Sequence, residues 1–173
     1  LKNQYLRALV FQLYEKNGVI KRDEIDSIVK LIPAEERKKL WGMGIKIGRY
    51  HIYLPKMLKP KPVKFRISLW KMFYNLSDNN QIPKSGLNFL TSLKVDKNFL
   101  LLCGFEKFRD FFVRIDILEK LFFKIIENTK DKKFKVNSEM MNLLGCSKEN
   151  FYKLMTYMDY KKDKVADTYI FRG

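Results

Sequence analysis

The stretch SEMMNLLGCSKENFYKLMTYM, residues 138–158, decides how the chain is read. Ser138 opens a short helix in which Met140, Met141, Leu143 and Leu144 are the apolar residues, and Gly145 stops it, since glycine tolerates the left-handed conformation of a helix end. Ser147 then stands as the N-cap of a second helix, whose Phe151, Leu154, Met155 and Met158 recur at i, i+3, i+4 and i+7. Two helices joined through Leu144-Gly145-Cys146-Ser147 have the form of a helix-turn-helix unit.

The pattern extends in both directions from this core. Upstream, Asp116 and Glu119 have capping-box spacing and open a helix with Leu118, Leu121, Phe122, Ile125 and Ile126 inward. Phe134 and Val136 predict a short strand. Downstream, Tyr160 and residues 168–171 predict two strands around Lys161-Lys162-Asp163-Lys164. Helix, strand, helix, tight turn, helix, hairpin is the order of a winged helix, expected over residues 116–173.

The first part of the chain is also helical. Tyr5, Leu6, Leu9, Val10 and Leu13 keep helical spacing up to Gly18, and the apolar pair Val19-Ile20 follows. Asp23 is expected to cap a second helix through about Leu31. Pro33 opens a third, with Glu35 and Glu36 at its start and Arg37, Lys38 and Lys39 at its end, an order that suits the helix dipole. Residues 44–55 alternate around Gly48 and predict a hairpin. Residues 63–75 fit either a strand or a helix from Pro62, and length favours the helix. Ser77 to Ser85 reads as a linker, and residues 99–102 as a short helix within a hydrophobic bridge. The expected fold is mostly α with small β hairpins, an α+β chain in two lobes. Its parts are a basic helical domain with a hairpin (1–76), a linker and bridge (77–115), and a winged-helix-like domain (116–173). No internal repeat is evident.

The charge is uneven. The 173 residues carry 35 Lys and Arg against 19 Asp and Glu, a net +16, and residues 1–76 hold +11 of it. No acid occurs between Glu36 and Asp78, an interval containing Arg37, Lys38, Lys39, Lys46, Arg49, Lys56, Lys59, Lys61, Lys64, Arg66 and Lys71. Uncompensated cations of this kind suit a polyanion whose condensed counterions they displace. Nucleic acid is the favoured partner, ahead of an acidic protein and an anionic membrane surface. Tyr50, His51 and Tyr53 place aromatic rings among these cations, as single-stranded nucleic acid requires, although both tyrosines also fit ordinary strand positions over a core. In the last domain Lys148, Asn150, Tyr152, Lys153 and Tyr157 are expected on the outer face of the recognition helix, where Glu149 and a local excess of only +3 weaken the case for a specific DNA reader.

Catalytic signals are nearly absent. No phosphate-binding Gly-x-x-x-x-Gly-Lys motif occurs, and Gly42, Gly44 and Gly48 miss the dinucleotide fingerprint at Ile47. His51 is the single histidine and is expected to pack or touch a phosphate. Cys103 and Cys146 lack the spacing of metal ligands and read as small hydrophobes in a reducing, cytoplasmic setting. No metal site is expected, nor a membrane span, since no run of eighteen apolar residues exists. The chain begins at Leu1 inside a helical pattern, with no signal peptide, and reads as a piece of something longer.

Residues 44–60, GIKIGRYHIYLPKMLKP, resemble a segment downstream of the motor in alphaproteobacterial superfamily-two ATP-dependent helicases, a group similar to the mitochondrial degradosome RNA helicase. Phe134-Lys135-Val136 and residues 140–147 resemble the distal part of the same proteins. The resemblance implies a C-terminal accessory region whose partner in cis is a preceding helicase core, with ATP and magnesium bound there and no cofactor here. It transfers no catalytic residue. The expected function is therefore non-catalytic binding of RNA or DNA, with the basic segment 37–71 gripping the phosphate backbone. The alternatives are a stand-alone winged-helix DNA-binding regulator and a protein-interaction scaffold with an acidic partner.

Overall fold

Asn3 starts the first helix, α1 (Gln4–Glu15), its side-chain oxygen accepting from the N–H groups of Tyr5 (2.9 Å) and Leu6 (3.1 Å). Leu6, Leu9 and Leu13 lie on its buried face. The helix ends in a double hydrogen bond, Asn17 N–H to the Tyr14 carbonyl (3.0 Å) and Gly18 N–H to that of Leu13 (2.7 Å). Asn17 and the expected Gly18 are both left-handed there, with φ 55° and 85°. The computed structural model describes residues 3–76, 81–91 and 96–171. Leu1, Gly173 and residues 77–80 of the expected linker lie outside the described residues.

The chain divides into two compact units, residues 1–82 with 102–104 and residues 83–101 with 105–173. Both are built of helices with small antiparallel sheets, an α+β fold.

In the first unit α1 leads into β1 (Val19–Lys21), α2 (Arg22–Lys30), α3 (Ala34–Gly42), β2 (Lys46–Ile47) and β3 (His51–Tyr53). A 3₁₀ turn (Pro55–Leu58) and α4 (Pro60–Phe73) follow. The ambiguous stretch 63–75 is thus largely helical. Two prolines in the first turn of α4 stand where their missing N–H groups are not needed. The strands are ordered β1-β3-β2, with Ile20 opposite Ile52 and Ile47 opposite Ile52 on the other side. Leu6, Leu9, Leu13, Ile20, Ile25, Val29, Ile32, Leu40, Ile45 and Ile52 form one buried cluster. The N-cap of α2 is Lys21, and Asp23 sits in the first turn instead, because the chain enters the helix directly from β1.

Arg66 of α4 is buried (5% exposed) and donates to two backbone carbonyls, Asn17 at 2.6 Å and Leu102. Among the described residues its Nε has no hydrogen-bond partner. Burial lowers its proton affinity, yet a guanidinium keeps its proton at any physiological pH.

The second unit begins with β4 (Phe89–Thr91), α5 (Lys97–Leu102, whose last residue belongs to the first unit), β5 (Phe105–Phe108) and β6 (Phe111–Arg114). These strands form a sheet ordered β4-β6-β5, in residues read from sequence as a bridge. The β5–β6 turn is made at Arg109-Asp110, with Arg109 left-handed at φ 51°. The unit continues through α6 (Ile115–Glu127), β7 (Thr129–Lys130), β8 (Lys133–Lys135), α7 (Ser138–Leu144), α8 (Lys148–Tyr157), β9 (Lys161–Lys162) and β10 (Thr168–Ile170). The second sheet is ordered β7-β8-β10-β9.

The start of α6 is not a capping box. Its N-cap is Arg114, whose guanidinium grips Asp116 through two bonds of 2.6 and 2.9 Å, while Glu119 is buried. The helix begins two residues earlier than that capping box would place it because it continues straight from β6. Ile126 is exposed, and the other four residues of the inward stripe are buried. The ends of α7 and α8 follow the sequence: Gly145 is left-handed, and Ser147 accepts from Asn150 N–H at 3.2 Å. Lys161 and Lys162 belong to β9, so the connecting turn lies further on, at 163–167. Among the described residues no helix is long and apolar enough to cross a membrane.

Replacing Arg66 by Met is expected to strand two carbonyls at about 1–3 kcal/mol each, lowering the urea midpoint of unfolding. Arg66→Lys should recover part of that loss. A wild-type midpoint in Arg66→Met would show that these bonds contribute nothing.

Candidate nucleic-acid interface

The connection between β2 and β3 is fixed from below. Arg22, at the start of α2, donates from its guanidinium to the Gly48 carbonyl (3.1 Å) and from its backbone N–H to that of Tyr50 (2.8 Å). Asp26, one helical turn on, holds the same guanidinium at 2.8 Å. Lys30 and Arg22 together keep the Asp26 carboxyl below its usual range, with hydrogen bonding to Lys30 the larger cause. Gly48 N–H closes the turn onto the His51 carbonyl at 2.8 Å. Arg49 is exposed at the tip and Tyr50 half-buried.

The other cations of the acid-free interval fall on successive elements of the same unit. Arg37, Lys38 and Lys39 are exposed on α3, Lys46 on β2, Lys56 in the 3₁₀ turn, Lys59 just before α4, and Lys61 and Lys64 on α4. Lys39 is bound to Glu36 on its own helix. Arg37, Lys38, Lys46, Lys56, Lys59, Lys61 and Lys64 pair with no carboxylate among the described residues.

Three expected contacts are inside the protein. His51 and Tyr53 belong to β3, the middle strand of its sheet, and are 1% and 4% exposed. Alternation along a strand sends adjacent side chains to opposite faces, and here both faces are covered. Arg66 faces inward with Val63 and Ile67 of α4. These three side chains cannot meet a phosphate or a base at the surface.

The face of α8 has a different character. Lys148 is bound to Asp167 at 3.1 Å and Lys153 to Glu149 at 2.7 Å. The Tyr152 hydroxyl donates to Asp167. Hydrogen bonds from Tyr152 and Lys148, in that order, hold the Asp167 carboxyl below its usual range. Asn150 is half-buried, its N–H engaged by Ser147. Tyr157 does not point outward: Arg109 lies 4.9 Å from its ring centre and the Phe111 ring 5.3 Å away. Trp41, 72% exposed on α3, is one aromatic residue that sequence reading passed over. Its spacing from Arg37 and Lys38 was the available signal.

Burial pushes the thiols of Cys103 and Cys146 up to about 12 and about 11, so neither is a nucleophile at neutral pH. Among the described residues no group of three His, Cys, Asp or Glu side chains could hold a metal ion. Comparison with known proteins finds no matching family model, no matching curated protein and no matching solved structure.

The depressed carboxyl of Asp167 stabilises the fold above its unfolded value, near 3.8, and that contribution is lost as pH falls through the lower folded value. Asp167→Asn should therefore flatten the acid limb of the unfolding curve while leaving its neutral limb parallel to wild type. Asparagine also tolerates the left-handed backbone of position 167, where φ is 58°. Equal acid sensitivity in both proteins would mean that the ties to Lys148 and Tyr152 are not formed in solution.

Proposed function

We propose that the chain is a non-catalytic nucleic-acid-binding module in which the first unit grips the phosphate backbone of a single strand. The observation carrying this reading is the contrast in charge pairing. Seven exposed cations of one acid-free interval have no carboxylate partner among the described residues, whereas the lysines of α8 are neutralised by Glu149 and Asp167. Cations without partners can exchange their counterions for phosphates, and paired ones must first break an ion pair.

The resemblance to superfamily-two helicases supplies a setting. In it the module follows an ATP-hydrolysing motor and guides the strand, and the order α6, β7, β8, α7, α8, β9, β10 supports reading this part as a winged helix that serves strand guidance or protein contact. Exchanging Lys46, Arg49, Lys56 and Lys59 for Ala should weaken single-strand binding and flatten the plot of log affinity against log salt by about 3. The measurement is fluorescence anisotropy of a labelled oligonucleotide across a salt series. An unchanged slope removes the basic interval as the site.

A second reading, protein contact, is favoured by α4. Phe65, Leu69, Met72 and Phe73 are exposed along one side of that helix, rimmed by Lys61 and Lys64. An apolar stripe with a cationic rim suits an apolar partner surface edged by Asp and Glu; in the helicase setting the motor provides it. Leu69→Glu with Phe73→Glu should abolish self-association or capture through this face while leaving oligonucleotide affinity unchanged. A matching loss of oligonucleotide binding would assign the stripe to nucleic acid instead.

A further inference from the structure

From the geometry of α3 we infer that Trp41 is a stacking platform for one unpaired base of a single strand, with the backbone at Gly42 left bare so that the base can lie close. The inference rests on the nucleic-acid reading above and names the part of the ligand that the cations do not recognise.

Three observations carry it. Trp41 is 72% exposed, so packing gives no account of a tryptophan here. Its neighbours one turn back, at i−4 and i−3, are Arg37 and Lys38, both exposed and neither paired with a carboxylate among the described residues. An aromatic face beside two free cations offers a base and its phosphates separate contacts.

The backbone that carries Trp41 is closed by the bonds that end α3. Gly44 N–H donates to the Trp41 carbonyl (2.9 Å) and Ile45 N–H to the Leu40 carbonyl (2.9 Å), while Leu40 is fully buried beneath. Gly44 is left-handed, with φ +81°, which explains its identity. Gly42 has no such explanation. It ends α3 without a positive φ, and a Cβ there would meet no heavy atom within 4 Å. Glycine is poor in a helix, and close approach of a ligand to the backbone is a reason to keep one. Glu35 is the remaining acid at the start of the helix, and Glu36 is occupied by Lys39.

The test uses the whole chain carrying Trp70→Phe, which leaves Trp41 as its one tryptophan. Oligouridylate and oligothymidylate are titrated at low salt, with an abasic strand and a duplex of equal length as controls. Binding of either single strand should quench Trp41 emission, and the abasic strand should bind without quenching. In the wild-type background Trp41→Ala should weaken single-strand binding roughly tenfold with the salt slope unchanged, and Trp41→Phe should restore most of it. Gly42→Ala should weaken binding while leaving thermal stability equal or higher. If single strands bind with no change in emission and Trp41→Ala binds as wild type, the platform is overturned and the basic grip stands. Equal quenching by duplex also overturns it. If neither single strand binds at low salt, both readings fall.

Discussion

One buried cation holds the first unit in register. The guanidinium of Arg66 reaches the carbonyl of Asn17, in the turn that ends α1, and the carbonyl of Leu102, where the chain returns from α5. Three separate segments thus meet at one side chain. No carboxylate balances the charge among the described residues, and Cys103 cannot do so, because burial keeps its thiol protonated up to about 12. Carbonyl dipoles are what stabilise it. A planar guanidinium can serve two acceptors on different segments at once, whereas an ammonium is a point charge with a costlier loss of hydration. The same fact withdraws Arg66 from the surface, although it lies in the middle of the most basic part of the sequence.

Both units arrange a helix, a strand, two helices and a hairpin in the same order. In each, the last strand lies between two others: β3 between β1 and β2, and β10 between β8 and β9, with β7 on the far side of β8. Little in the residues announces this likeness, since burial constrains only apolar periodicity and many sequences satisfy it. What differs is the treatment of charge. On α8, Glu149 stands four residues before Lys153, and the turn before β10 delivers Asp167 to Lys148 and Tyr152. On α3 the acids are confined to the first turn, at Glu35 and Glu36, leaving Arg37 and Lys38 unanswered.

The legible parts of the fold were those with a local cause. Ser147 caps α8, and Gly145 stops α7 in the left-handed conformation; each needs only its neighbours in sequence. The β5–β6 hairpin was not legible, because Phe105, Phe111, Phe112 and Val113 form apolar runs without alternation, and such runs do not distinguish a buried strand from a buried helix. Its turn at Arg109-Asp110 also lacks a glycine. Within the candidate site, charge was legible and direction was not. The cations around β3 suggested rings offered to a ligand, but a central strand covered on both sides hides His51 and Tyr53 alike.

Magnitudes decide whether the acid-free interval is a demand of folding or of function. Two unit charges roughly 10 Å apart in water repel by about 0.4 kcal/mol, and physiological salt, with a screening length of about 8 Å, reduces this further. Seven dispersed surface cations therefore strain the first unit only slightly, and the fold tolerates them without an anion. Adding one well-placed acid, as α8 does with Glu149, would have relieved even that strain at no structural expense. A helix such as α3, exposed along Arg37, Lys38 and Trp41 and buried at Leu40, has room for such a residue. Folding leaves the sign of this surface open, and the charge is free to suit whatever the surface meets.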